Sequence, residues 1–406
     1  MNCILLRQPP VSTIISIRRK DRMRKGLCYV LIAAVLSICL VGSGCWAAAK
    51  KAPYVIGAIF STTGDNAPLG VPERETVEML VKQINAKGGI NGHPIKVEFY
   101  DDGGRPEQAV QACQRLLGNK DVVAIIGPTL SGPSLAIANM CQEAKMPLIS
   151  CAASVKIVEP VRSYVFKTAQ SDSMAVERII DYIKKRGITA VGFINDSNAF
   201  GASGRDQWLA ISKKSRIKTV AVESFATNDT DMTAQLSKIR AAKPKAVVCW
   251  GTNPGPAIVA KNMKTLGMTQ PLIMSHGIAN MEFIKLAGSS ANGVIFPAGK
   301  LIVANSIPDS DPQKKVLLQY AAAFQKAYKK APNTFGGHAY DAFILVVKAL
   351  EKVGPDRAKI RSAIENTKGF VGITGVFNFS PTDHNGLNKN AFALVKIENG
   401  KWTLFK

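Results

Sequence analysis

The sequence predicts an α/β fold in which short, buried parallel strands alternate with helices. Two apolar runs at residues 122–126 and 146–149 are too short for helices and too apolar for exposed edge strands. Residues 133–145 between them carry apolar side chains at helical spacing, with hydroxyl residues and a proline ahead of them. A right-handed crossover of this kind brings the carboxyl ends of both strands to one edge of the sheet, where ligands bind in open α/β folds.

A polar turn follows each of these two strands. Ser131 stands in the first turn, and residues 152–154 form the second. Hydroxyls and free backbone N–H groups beside the positive end of a helix suit a carboxylate ligand. A single serine at such a position often only caps its helix. The pair of polar turns on one sheet edge is what favours a binding site.

The same alternation extends along the chain. The first unit has predicted strands at 54–60, 95–100, 122–126, 146–149 and 164–168, with helices at 73–85, 108–117 and 133–145. A second unit has helices at 173–186, 204–214 and 232–242, strands at 190–195, 219–224 and 246–250, and further segments at 262–268, 272–274, 281–287 and 294–296. Helices at 312–330, 337–353 and 357–366 precede strands at 391–397 and 401–405, which the sequence ENG joins as a type I′ hairpin. Because no low-complexity linker separates the units, we expect two lobes connected by short crossings around a cleft.

The N-terminus has the pattern of a secretory signal peptide. A basic run at 18–25 precedes an apolar run at 27–41, which is shorter than the roughly 20 residues of a membrane span. Ala47 and Ala49 form an A-x-A cleavage site, so residues 1–49 are predicted to be removed on export to the periplasm.

Two alternatives remain open at this end of the chain. Met23 directly precedes a compact signal and is an alternative start. Cys45 follows small residues, as in a lipoprotein, but Leu40 and Val41 stand one place too far upstream. Export is expected in either case.

Composition excludes several classes of function. Lys and Arg outnumber Asp and Glu by 52 to 29, but the excess is scattered over helix faces without interleaved aromatics, so we expect no nucleic-acid surface. No C-x-x-C pair and no His cluster is present, so neither a metal site nor a cofactor is expected. Cys113 and Cys141 lie on predicted helices that flank the same strand, and an oxidising compartment would favour a disulfide between them.

Five segments resemble the leucine/isoleucine/valine-binding protein family: INAKGGINGHPIKVEFYDDGGRPEQAV, VVAIIGPTLSGPS, PLISCAAS, YVFKTAQSDS and NDSNAFGASG. Its members are exported substrate-binding proteins of branched-chain amino acid ABC importers. The resemblance implies a type I periplasmic binding protein, with two Rossmann-like lobes joined by three hinge crossings that close on a ligand. It places one lobe at 53–167 and 299–390 and the other at 168–298 and 391–406. It also implies a monomeric protein that binds a small carboxylate and docks on permease subunits.

The resemblance also implies a set of ligand-binding residues. The hydroxyls of Ser131 and Ser154 match the positions that hold the ligand carboxylate, and the carbonyl of Ala152 matches one that accepts from an α-ammonium. Four further positions match aromatic walls of the cleft in relatives: Leu69, Phe200, Thr252 and Tyr340.

His276 stands where relatives carry the acid that pairs with the α-ammonium. Such a charge-assisted bond contributes about 1.5–3 kcal/mol, and a histidine does not supply it. The substitution points to a carboxylate without an α-amine, with an aromatic or aliphatic body. The alternative is that the alignment slips here and that Asp196, Asp341 or Glu282 takes the ammonium.

Two other classes of function remain as alternatives. A hydrolase built on Ser131 or Cys151 has only the residue types in its favour, because no G-x-S-x-G, H-E-x-x-H or phosphate-binding loop is present. A ligand-sensing partner of a signalling receptor would keep the same fold, since a fold does not fix a function.

Overall fold

The computed structural model describes residues 51–405. The predicted signal peptide at 1–49, with the alternative lipid attachment at Cys45, lies outside these residues. Within them, no helix is both long enough and apolar enough to cross a membrane.

The strands of the described residues are β1 Tyr54–Phe60, β2 Ile95–Asp101, β3 Val122–Ile126, β4 Leu148–Ser150, β5 Val165–Lys167, β6 Ala190–Asp196, β7 Lys218–Phe225, β8 Ala246–Trp250, β9 Leu272–Met274, β10 Ile295–Gly299, β11 Phe370–Val371, β12 Val376–Phe377, β13 Phe392–Glu398 and β14 Lys401–Leu404. The helices are α1 Ala67–Ala86, α2 Pro106–Gly118, α3 Ser131–Glu143, α4 Asp172–Lys185, α5 Ala199–Lys214, α6 Thr233–Ala241, α7 Gly255–Thr265, α8 Met281–Ala287, α9 Lys314–Tyr328, α10 Thr334–Val353 and α11 Arg357–Glu365.

The first lobe is built on a five-stranded sheet in the order β2-β1-β3-β4-β5, and all of its strand pairs are parallel. Strands β1, β3, β4 and β5 are buried along their whole length, which explains their unbroken apolar sequences. Helices α1, α2 and α3 form its crossovers. The alternation predicted for this part of the chain is confirmed.

The second lobe is built on a seven-stranded sheet in the order β14-β13-β10-β9-β8-β6-β7. Strands β6 to β10 pair in parallel, while β13 and β14 add an antiparallel edge. Asn399 and Gly400 between β13 and β14 have φ angles of 50° and 71°. Positive φ at both central positions is the geometry of the predicted type I′ turn.

Helices from late in the chain complete the first lobe. Helix α10 packs against α1, and the Thr76 hydroxyl lies 2.7 Å from the Tyr320 hydroxyl of α9. Strands β11 and β12 form a small antiparallel pair of their own. The fold is therefore that of a type I periplasmic binding protein, with sequence-distant segments in one lobe.

Within residues 51–405, the chain passes between the two sheets three times: after Lys167, after Gly299 and before Phe392. The first crossing is bonded to the segment that leads into the third. Asn385 donates to the Ala169 carbonyl at 3.0 Å, and the Ser171 hydroxyl donates to the Asn385 side chain at 2.9 Å. These bonds hold the crossings side by side at the base of the cleft, while the lobe boundaries themselves stay a prediction.

Helices α1 and α10 begin earlier than the sequence predicts, and both differences affect the cleft. Helix α1 begins at Ala67 rather than residue 73, because Pro68 suits the first turn of a helix. Helix α10 begins at Thr334 rather than residue 337, because the Asn333 side chain caps it by accepting from the Gly336 N–H at 3.1 Å. Leu69 and Phe335 are thereby placed on helices that reach the cleft.

Candidate ligand-binding site

A cavity of about 330 Å³ lies between the lobes, at the carboxyl ends of the parallel strands. The segments after β3 and β4 line it from the first lobe, and those after β6, β8 and β9 line it from the second. This is the edge at which open α/β sheets bind ligands. The residues that line it include Leu69, Ser131, Ala152, Phe200, Thr252, His276, Phe335 and His338.

The lining of the cavity favours an anion with an apolar body. Among the described residues that line it there is no Asp, Glu, Lys or Arg. Residues of the first turns of α3 and α5 face it from opposite lobes, so the positive ends of two helices point towards its interior. Backbone N–H groups in such turns lack partners within the helix and bind carboxylates well.

Ser131 and Ala152 lie at this cavity, as the resemblance implied. Ser131 is the first residue of α3, and its side-chain oxygen accepts from the Ser154 N–H at 3.2 Å. The Ser131 hydroxyl proton is therefore free to be donated to an acceptor in the cavity. The Ala152 N–H is turned to the Ser150 hydroxyl at 3.1 Å.

Ser154 has a different position from the one expected. It is fully buried and does not line the cavity; its hydroxyl donates to the Ser203 hydroxyl of α5 at 2.8 Å. Its oxygen also accepts from the Lys156 N–H at 3.2 Å, which caps a short 3₁₀ turn. Nearby, Lys156 and Asp206 form an ion pair at 2.7 Å between the same two segments. In this structure the Ser154 side chain therefore joins the lobes.

The expected cleft walls are present except for Tyr340. Leu69, Phe200 and Thr252 line the cavity. Tyr340 is a correction: its ring packs on Tyr320, with ring centres 5.2 Å apart, and does not line the cavity. The face of α10 that meets the cavity carries Phe335 and His338 instead.

Sequence reasoning missed these two residues, although a signal was available. Phe335 and His338 are three positions apart, so they share one face of a helix. Tyr340 is two positions beyond His338 and points to a different face. Helical periodicity therefore groups His338 with Phe335 and not with Tyr340.

The His276 ring packs against aromatic side chains and makes no hydrogen bond. Its ring lies edge-on to Phe200 and Trp250, with centres 5.4 and 6.0 Å away, and tilted against Phe392 at 5.2 Å. Both ring nitrogens are buried without a hydrogen-bond partner. Burial, with the nearby positive charge of His338 when protonated and of Lys167, lowers the pKa of His276 to about 3. At neutral pH the ring is uncharged.

His338 faces the same cavity from the first lobe, and it is 4% exposed. Burial lowers its pKa to about 3, although a hydrogen bond from the ring to the Cys151 backbone opposes this shift. Its Nδ1 atom is buried without a partner. The cavity thus contains two neutral imidazoles.

None of the three acids considered as partners for an ammonium lines the cavity. Asp196 accepts from the Thr227 hydroxyl at 2.7 Å and the Asn198 N–H at 3.0 Å. Asp341 accepts from two backbone N–H groups at 2.7 Å each. Glu282 is partly exposed and pairs with Lys285 at 3.6 Å.

The cysteines give no support to an enzyme. Burial raises the pKa of the Cys151 thiol well above its usual value, so this residue is not an activated nucleophile. The sulfurs of Cys113 and Cys141 lie 3.7 Å apart on α2 and α3, but both are free thiols in this structure. The disulfide stays a prediction. Among the residues 51–405, no cluster of three metal-binding side chains occurs.

Comparisons with known proteins agree with this geometry. A family model described as "Periplasmic binding protein" matches residues 53–401. The Leu/Ile/Val-binding protein homolog 3 of Brucella melitensis is 25% identical over 375 residues, covering 91% of this chain and 98% of that protein.

Solved structures are similar over most of the chain. An extracellular ligand-binding receptor from Rhodopseudomonas palustris has a TM-score of 0.82 and 31% identity, covering 87% of this chain and all of that one. The branched-chain amino acid transporter substrate binding protein of Streptococcus pneumoniae, in complex with isoleucine, has a TM-score of 0.76 and 25% identity, covering 86% and 97%. The chain belongs to the periplasmic binding protein family, and within it to the Leu/Ile/Val-binding type.

Proposed function

We propose that this protein captures a small carboxylate without an α-amine in the interlobe cleft and delivers it to the permease of an ABC importer. Membership of this family implies a periplasmic substrate-binding protein, not an enzyme. The single observation that carries the choice of ligand is a cavity faced by two helix N-termini and lined by no acidic side chain in the described chain.

An amino acid would fit this cavity poorly. Its carboxylate could bind at the start of α3, but its ammonium would meet neutral His276 and His338. A buried ammonium without a negative partner suffers a desolvation cost of several kcal/mol. Buried Lys167, which contributes to the lowered pKa of both histidines, adds repulsion. An acid without the amine avoids these costs.

The lining of the cavity also suits a ligand with an apolar body. Leu69, Phe200 and Phe335 supply aliphatic and aromatic surface on opposite sides. Burying apolar area contributes about 25 cal/mol per Å². We therefore expect a ligand whose aliphatic or aromatic body is about the size of a branched-chain amino acid.

A thermal-shift panel of leucine, isoleucine, short aliphatic acids and phenyl-substituted acids tests the ligand class. A ligand at 100 times its Kd adds about 2.7 kcal/mol of stability. We expect amine-free acids to raise the Tm and amino acids to leave it nearly unchanged. A shift with amino acids alone would contradict the proposal.

His276→Asp sharpens this test. A carboxylate at this position should pair with an α-ammonium, so the variant should gain a response to leucine and lose part of its response to acids. Met281→Asp is the control, because Met281 is exposed and does not line the cavity; it should respond like the parent protein.

Transport requires its own measurement. Deleting the gene should lower the uptake of a radiolabelled acid selected by the panel, and restoring the gene should recover that uptake. Uptake that does not change on deletion would argue against the import role while leaving the ligand class standing.

A further inference from the structure

We propose that the ligand is a 2-hydroxy carboxylate and that His338, together with His276, recognises its hydroxyl. This inference rests on the proposed function, in that it takes the ligand to be an amine-free acid. It adds the substituent beside the carboxylate and the residues that select it.

His338 faces the cavity with a ring nitrogen that lacks a partner. Its ring lies against the Cys151 backbone, and its Nδ1 atom is buried without a hydrogen-bond partner. A neutral imidazole has one N–H donor and one acceptor nitrogen, so a ligand group that both donates and accepts can satisfy Nδ1 in either tautomer.

His276 presents two nitrogens without partners to the same cavity. Because the ring is neutral, one of them is an N–H donor and the other an acceptor. The aromatic side chains that pack against the ring, Phe200, Trp250 and Phe392, carry no conventional hydrogen-bond acceptor for this N–H. In either tautomer of His338, the two rings together can therefore offer a hydroxyl one donor and one acceptor, because His276 has both.

A hydroxyl is the smallest neutral group that satisfies both, since it donates to one nitrogen and accepts from the other. A 2-oxo group accepts only, so it leaves an acceptor nitrogen of the two rings without a partner. An ammonium donates but brings an unpaired charge. An unsubstituted acid leaves all of these nitrogens unsatisfied, and such unmade bonds are costly in a buried site.

The position of His338 places this hydroxyl beside the carboxylate. Its ring lies against the backbone of Cys151, the residue before Ala152, and Cys151 and Ala152 line the same cavity as Ser131. The Thr168 hydroxyl donates to the His338 carbonyl at 2.9 Å and ties the start of α10 to the first crossing. The group that His338 contacts is therefore close to the carboxylate and not at the far end of the apolar body.

Calorimetric titration with matched acids tests the inference. The aliphatic set is 4-methylpentanoate, its 2-hydroxy derivative and its 2-oxo derivative; the aromatic set is 3-phenylpropanoate, 3-phenyllactate and phenylpyruvate. Within the set that binds more tightly, we expect the hydroxy acid to bind roughly 10-fold to 100-fold more tightly than the other two, the scale of leaving one buried polar group unpaired.

His338→Phe should abolish this preference, because it keeps a ring but removes the nitrogen that bonds the hydroxyl. His338→Asn, whose side-chain oxygen stands near the place of Nδ1, should keep part of it and serves also if the Phe variant folds poorly. Phe335→Leu is the matched control on the same helix face; it should weaken the hydroxy acid and the unsubstituted acid by the same factor.

The outcomes separate the two proposals. Equal affinity for the hydroxy and unsubstituted acids, or a preference that survives His338→Phe, would overturn this inference and leave the proposed function standing. Binding of leucine with no response to any amine-free acid would overturn the proposed function, and this inference with it.

Discussion

The interlobe hydrogen bond from Ser154 to Ser203 should stabilise the closed form for every ligand. Ser203→Ala removes the acceptor of a buried 2.8 Å bond. One neutral hydrogen bond contributes about 0.5–1.5 kcal/mol, so its loss shifts the lobes towards the open form and weakens binding by roughly 2-fold to 12-fold. The factor should be the same for different acids, because neither residue lines the cavity.

A double-mutant cycle measured by calorimetry tests this account. Ser154→Ala and Ser203→Ala should be strongly non-additive, since either change already removes the shared bond. Ser212→Ala is the control: Ser212 is buried on the same helix α5, but its hydroxyl bonds the Leu209 carbonyl within the second lobe, so the Kd should not change. Additive losses, with Ser154→Ala selectively weakening carboxylates, would refute the reasoning and restore Ser154 as a ligand contact.

Three further outcomes are expected. Ser131→Ala should weaken acid binding by about 1–3 kcal/mol, because it removes a hydroxyl donor to the carboxylate. Ser134→Ala should not weaken it, because the Ser134 hydroxyl lies 2.8 Å from that of Ser150. Equal effects of the two variants in calorimetry would contradict the assignment. Protein taken from the periplasm and unfolded without reductant should show no free thiol at Cys113 and Cys141, whose sulfurs lie 3.7 Å apart. A disulfide between them contributes about 3–4 kcal/mol by chain entropy. Labelling of both thiols would disprove the disulfide. The pKa of His276 is about 3 in the folded protein and near 6.5 in the unfolded chain, so this residue lowers the free energy of unfolding as pH falls below 6.5. Between pH 6.5 and 5, denaturant titrations of His276→Phe should therefore show a loss of unfolding free energy about 2 kcal/mol smaller than that of the parent protein. Equal losses would contradict burial of a neutral ring.

The sequence was most informative where burial determines the residue type. Strands β3 and β4 are buried on both faces, so their apolar runs identify them without ambiguity. The turn between β13 and β14 was equally clear, because its Asn-Gly pair meets the need for positive φ at both positions. These signals are local, and local signals can be recognised in a sequence.

The site was less predictable because its geometry depends on segments that are distant in sequence. Phe335 and His338 reach the cavity only because Asn333 fixes the start of α10 and because α10 packs on α1. Ser154 is only two residues after Ala152, yet its hydroxyl bonds a side chain of α5 and does not line the cavity. Rotation about a helix axis and contacts between lobes are decided by tertiary packing.

His276 illustrates how resemblance and structure complement each other. The resemblance indicates that relatives carry an acid at this position. The structure adds that the ring is buried among aromatic side chains, without partners for either nitrogen. A physical reason then exists for expecting a different ligand.

The most direct test of the central claim is calorimetric titration of the ligand-free protein with leucine and with 4-methylpentanoate. The two compounds share one carbon skeleton and differ only in the α-ammonium, so their difference reports the cost of placing that charge between His276 and His338. We expect 4-methylpentanoate to bind at least about tenfold more tightly than leucine, which corresponds to about 1.4 kcal/mol. Micromolar binding of leucine with no measurable binding of 4-methylpentanoate would contradict it.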